Sequence, residues 1–130
     1  MCLTKLKKIR LHKNYGWQVL EKTDKGLLPF YMKRVYTFFT RFVPTNQWER
    51  DEFQMQVGIG PLDSPYVRTY VSGFHIFLRK KDAKEMLEKY GYPCHVIRKV
   101  YFRDMITTGY QRSNNEWPVV VAGERFVEEK

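Results

Sequence analysis

One stretch of this chain carries a clear helical period, and it is short. In KDAKEMLEKYG, Ala83, Met86, Leu87 and Tyr90 recur at i, i+3, i+4 and i+7, which predicts an amphipathic helix over about 81–90. Asp82 suits the positive end of that helix, Gly91 its C-terminal cap, and Pro93 blocks continuation. A helix of about three turns covers only part of one sheet face. Strand-like runs precede and follow it, so helix and strands are segregated rather than alternating. The expected class is α+β, with a mainly antiparallel sheet and this one principal helix. Aromatic residues make up 16% of the chain, more than such a helix can bury. The sheet is therefore expected to be strongly curved and to pack partly on itself.

The strand pattern is cleanest in FQMQVGI, where Phe53, Met55, Val57 and Ile59 alternate with Gln54, Gln56 and Gly58. GWQVLEK, residues 16–22, alternates as well and runs into a turn at Asp24 and Gly26. In RVYTFFTRFV, residues 34–43, Tyr31, Val35, Phe38 and Phe42 would fit one helix face. Its β-branched and aromatic content, with Pro44 directly after, favours a strand. TNQWERDE reads as a polar connector or a short helical turn capped by Thr45 or Asn46. GPLDSP, residues 60–65, reads as a loop. HVIRKVYF and MITTGY read as one long or broken strand. WPVVVAGERFV is the last strand, with a bulge or bend expected at Ala122-Gly123.

The length, 130 residues, suits a single domain spanning 1–130. With 43% hydrophobic residues, that domain can hold a core without disulfides or a structural metal. The net charge is +9 and it is uneven: Lys5, Lys7, Lys8, Arg10 and Lys13 fall in residues 1–13, which contain no acid. This basic N-terminal arm reads as either a frayed segment or an edge strand. No secretory signal and no run of about 18 apolar residues is present. Cys2 and Cys94 are expected to be free thiols of a cytoplasmic protein.

The segment YVSGFHIFLRK precedes the helix. Strict alternation would put Tyr70, Ser72, Phe74, Ile76 and Leu78 on one face and Val71, Gly73, His75, Phe77 and Arg79 on the other. Tyr70, Gly73, Phe74, His75 and Phe77, followed by Asp82 and Ala83, resemble a pattern in small uncharacterised proteins of bacteriophages and their bacterial hosts. There a Gly-Phe-His strand leads to an acidic-Ala pair that opens a helix. Val100, Ile106, Gly109, Gln111 and Val119-Val120-Val121 extend the resemblance, which spans residues 66–123. It implies a mobile-element origin and brings no activity, cofactor or catalytic residue with it.

Several chemistries can be weighed residue by residue. His75 could serve as a general base, because histidine titrates near neutral pH. Gly73 beside it would let a ligand or a backbone approach. Tyr66, Tyr70, Gly73 and His75 are thus the candidate pocket of a small enzyme. Ser72 points away from His75 under alternation, which is poor geometry for a nucleophile and its base. The structural alternative is a histidine bonded to a neighbouring strand or loop. His12, His75, His95 and Cys94 lack the paired spacing of zinc ligands, so no metal is expected. Gly58 and Gly60 lack the lysine and following helix of a phosphate loop. No cofactor motif is present. Glu49, Asp51 and Glu52, with Arg50 among them, read as a solvated charge run.

The basic residues remain. Lys5, Lys7, Lys8, Arg10 and Lys13 form one group, and Arg79, Lys80, Lys81 and Lys84 another. Aromatics, Tyr15 and Trp17 among them, lie near both. Cations for phosphate with rings for bases are the chemistry of single-strand binding. The expected function is a non-catalytic binding module acting on an acidic partner, either nucleic acid or protein.

Overall fold

The computed structural model describes residues 3–30, 42–52, 54–59, 68–111 and 117–130. Residues 31–41, the GPLDSP loop, Tyr66 and Cys2 lie outside the described residues, and with them most of the strand expected over 34–43.

The strands are β1 (Lys5–Leu6), β2 (Tyr15–Thr23), β3 (Gly26–Pro29), β4 (Trp48–Arg50), β5 (Gln56–Ile59), β6 (Arg68–Val71), β7 (Phe74–Phe77), β8 (His95–Gln111) and β9 (Trp117–Val127). The helix α1 (Lys80–Tyr90) stands between β7 and β8. The fold is α+β, and every pairing of named strands is antiparallel.

The main sheet curves until it meets itself. β2 pairs with β8 from Tyr15↔Tyr101 to Glu21↔His95, and β8 pairs with β9 from Val100↔Val127 to Gln111↔Trp117. β9 pairs with β7, and β7 returns to β2 at Trp17↔Phe77. The circuit β2-β8-β9-β7 is closed. Its last contact depends on Gly16: a Cβ there would lie 2.2 Å from the Phe77 carbonyl oxygen, so only glycine lets the two backbones approach. β1, β3 and β4 extend the sheet outside the ring, and β5 with β6 forms a separate hairpin.

Closure divides the apolar residues into two clusters. One fills the ring, with Leu20, Ile76, Val100, Phe102, Val120, Ala122 and Val127 buried together. The other lies outside it, where Val19, Phe77, Val119 and Val121 receive Ala83 and Met86 of α1. Leu87 is partly buried against that cluster, whereas Tyr90, expected on the same stripe, is exposed. Asp82 is 1% exposed and accepts two hydrogen bonds from Arg79, at 2.7 and 3.0 Å. Burial pushes its pKa up, and the Arg79 guanidinium opposes that shift. Gly91 caps α1 through its N–H to the Leu87 carbonyl, in extended rather than left-handed backbone.

Several sequence expectations are corrected here. Within 45–52 the connector expected is interrupted by a strand, β4, which pairs with β9 at Trp48↔Phe126 and Arg50↔Glu124. Glu49 is no solvated charge: it accepts from Arg125, which is 6% exposed. The irregularity expected at Ala122-Gly123 lies on the partner strand. The β8–β9 register slips between Met105 and Thr107, next to Asp104 at φ 59. The strand expected over 53–59 is shorter, beginning at Gln56, and Met55 is exposed. The start of the basic arm is held as an edge: Thr4 N–H donates to Tyr110, Lys7 N–H to Thr108, and β1 pairs with β8.

Candidate nucleic-acid interface

The long segment before the helix is two strands, because Ser72 and Gly73 interrupt it. The break resets the alternation, so Tyr70 and His75 meet instead of facing apart. The Tyr70 hydroxyl is 2.8 Å from His75 Nε2, and Nδ1 is 3.1 Å from the Gly73 carbonyl oxygen. A carbonyl only accepts, so Nδ1 carries the proton and Nε2 receives the tyrosine hydroxyl. The Tyr70 oxygen in turn accepts the Leu3 N–H at 3.1 Å. Burial lowers the His75 pKa to about 4, which keeps the ring neutral. Both ring nitrogens are thereby committed to internal partners. Ser72 is tied elsewhere, accepting from Met55 N–H at 2.9 Å. The space expected beside Gly73 is filled, since a Cβ there would lie 2.6 Å from the Ala122 carbonyl oxygen.

A second polar chain sits at one end of the ring. Arg125 donates to Gln18 Oε1 and to Glu49, each at 2.9 Å, with its guanidinium 4.1 Å from the Phe74 ring centroid. Gln18 donates onward to the His75 carbonyl at 2.8 Å. These bonds tie β2, β4, β7 and β9 together, and the role is structural.

The outer surface of the ring offers different chemistry. An 11-residue helix is about 16 Å long. Val19 is buried in the cluster that receives it, whereas Tyr15 and Tyr101 are left half-buried. On this uncovered part four aromatic residues stand in one cross-strand row: Tyr15 opposite Tyr101, Tyr101 opposite Phe126, and Phe126 opposite Trp48. Successive ring centroids are 5.9, 6.1 and 5.7 Å apart, all edge-to-face. Trp17 adds a fifth ring, 5.6 Å from Tyr15.

Cations are interleaved with the rings. Lys99 Nζ is 4.2 Å from the Tyr15 centroid and 5.0 Å from that of Tyr101, Lys13 Nζ is 5.3 Å from Tyr15, and Arg103 is 4.0 Å from Trp48. A hydrogen bond with the Tyr101 side chain holds the Lys99 pKa above the ordinary lysine range. Beside these rings Tyr15, Trp17, Lys80, Ile97, Lys99 and Lys130 line a groove of about 340 Å³.

The charge is unequal along the row. At the Trp48 end, Glu124 pairs with Arg103 and Arg50, and Arg50 also approaches Asp104 at 3.8 Å. Arg103 accordingly draws the Glu124 pKa down. Two cations face two acids there. At the Tyr15 end Lys13, Lys80, Lys99 and Lys130 gather, with Glu128 the acid acting on Lys99.

Of the basic residues picked out in the sequence, this face brings together Lys13 and Lys80, alongside Tyr15 and Trp17. Lys5 and Lys7 lie against Tyr110, nine positions along β8 from Tyr101, roughly 30 Å at the rise of a strand. Lys8 and Arg10 are exposed on the segment between. Lys81 and Lys84 are exposed on α1, and Arg79 is engaged with Asp82. Lys99, Tyr101, Arg103, Phe126 and Trp48 were not picked out in the sequence. The signal for three of them was present, since Lys99, Tyr101 and Arg103 share one face of a strand whose other face is Val100 and Phe102.

Fold and face together define the class: an α+β domain closed on its own sheet, with an aromatic and basic outer surface. No family model matches the chain, and neither a curated protein nor a solved structure does. Among the described residues no helix is long and apolar enough to cross a membrane.

Proposed function

We propose that this protein is a non-catalytic binding domain that holds nucleic acid on its aromatic and lysine-bearing face. The observation that carries the reading is the row Tyr15-Tyr101-Phe126-Trp48, with Lys99 held over its first two rings. Rings left half-exposed beside cations suit base and phosphate together. A cytoplasmic location is part of the proposal; the free Cys94 thiol supports it, because a reducing compartment keeps thiols reduced. The pattern of Gly73-Phe74-His75 followed by Asp82-Ala83 supports an origin in a phage or other mobile element. A catalytic centre at His75 draws no support from a neutral ring whose two nitrogens are engaged internally.

The test is fluorescence anisotropy with labelled oligonucleotides over a series of salt concentrations. Binding that weakens with salt, and that Lys99→Ala with Lys80→Ala reduces, is the expected result. An unchanged affinity in that double variant would move the interface elsewhere. Capture of an acidic protein with no oligonucleotide bound would replace nucleic acid with protein as the partner.

A further inference from the structure

Resting on that reading of the face, we infer that the nucleic acid is single-stranded. Its phosphates sit among Lys13, Lys80 and Lys99, and its bases lie over the rings toward Trp48. Three observations converge. First, the rings form a continuous row across four strands, and a duplex keeps its base faces stacked inside, where such a row cannot reach them. Second, excess positive charge is confined to the Tyr15 end, while Arg50 and Arg103 at the Trp48 end are balanced by Glu124 and Asp104. A duplex presents phosphates along its whole length and would meet a neutral half. A single strand can turn its bases to the rings there and leave those phosphates facing solvent. Third, Tyr15 and Trp17 line an open groove together with Lys80 and Lys99, so rings and cations stand side by side at that end of the row.

Trp48 is 40% exposed and Arg103 lies over its ring, so a base reaching Trp48 meets the ring beside that guanidinium without the sheet opening. The same chemistry serves DNA and RNA strands, so both are compared. Labelled oligo-dT, oligo-U and a duplex of equal length are titrated across salt. Single strands should bind more tightly than the duplex. Three phosphates neutralised on a single strand give a slope of log affinity against log salt of about −2, at about −0.7 per phosphate. Lys80→Ala and Lys99→Ala should each make that slope shallower by about 0.7. Trp48→Leu should leave the slope alone and weaken binding about tenfold at every salt, the loss of one base–ring stack. Phe126→Leu repeats that test at the next ring, and thermal unfolding checks that each variant is folded. Preference of oligo-U over oligo-dT, or the reverse, assigns the strand to RNA or DNA. Duplex binding as tight as single-strand binding, or full affinity in Trp48→Leu, would overturn the single-strand inference and leave a nucleic-acid interface standing. Binding of none of the three would remove the interface itself.

Discussion

The Tyr70 hydroxyl donates to Nε2 of His75 across 2.8 Å, and the Gly73 carbonyl oxygen, 3.1 Å from Nδ1, sets that direction. The pair joins β6 to β7 across the break at Ser72-Gly73, and through the Leu3 N–H it also holds the start of the described chain. The arrangement works only with a neutral imidazole.

Stability should therefore fall in mild acid. Burial lowers the folded pKa of His75 from 6.5 to about 4. The unfolded chain takes up the proton first, so this contribution is complete above pH 6.5 and lost as the pH falls toward 4. At about 1.4 kcal/mol per pKa unit the loss is about 3 kcal/mol. Urea unfolding at pH 7 and at pH 4 reads it directly. His75→Phe should cost about 1–3 kcal/mol at pH 7 by removing the nitrogen to which the Tyr70 hydroxyl donates, and should flatten the acid limb. An acid limb unchanged in His75→Phe would assign that loss to other groups.

The helix is anchored by Met86 rather than by the end of its stripe. Met86 is 1% exposed between α1 and the ring. Met86→Ala should cost about 2–5 kcal/mol. Leu87→Ala should cost less, because Leu87 is only partly buried. Lys84→Ala should change stability by no more than about 0.5 kcal/mol. Chemical denaturation of the three variants gives the order.

Ring closure can be challenged at one atom. Gly16→Ala places a methyl group 2.2 Å from the Phe77 carbonyl oxygen, an overlap that backbone must relieve. The expected loss is about 1–3 kcal/mol or more. Amide exchange should accelerate on both β2 and β7 if the two strands part there.

Arg125 is the buried polar anchor between β2, β4 and β9. Arg125→Ala leaves Gln18 and Glu49 without the bonds they accept. Breaking a buried pair in this way costs about 3–5 kcal/mol; Glu49 keeps 27% of its side chain in solvent, which puts the expected value near the lower bound. Glu49→Gln, which preserves an acceptor, should cost distinctly less in the same denaturation assay.

How far the sequence reached depended on the range of each interaction. The helix was legible because Ala83, Met86 and Leu87 are local neighbours once the period is seen. Curvature was legible because one short helix could not cover so many rings. The closed circuit was not, since Tyr15 meets Tyr101 and Trp17 meets Phe77 only through long-range pairing that no local pattern encodes. Tyr70 and His75 were assigned to opposite faces because alternation was carried through Ser72-Gly73, where the chain breaks step. Glu49 was read as solvated because Arg125 is far away in sequence. The site was half visible: Lys13, Tyr15, Trp17 and Lys80 were picked out. Trp48 and Phe126 were missed because only pairing to β9 brings them into the row.

The place of β9 in the circuit bears on how the protein is made. β4, β7 and β8 all pair with it, yet a ribosome synthesises every one of them before it. Until β9 emerges, Ile76 and Val100 have no Val120 to meet, and both β7 and β8 present an open edge. Closure of the ring therefore waits until β9 has emerged, and its long-range pairing belongs to the slow, millisecond-to-second end of domain folding. A nascent chain stalled before Trp117 would carry exposed strand edges and a bare apolar interior, the two features by which unfinished proteins find one another.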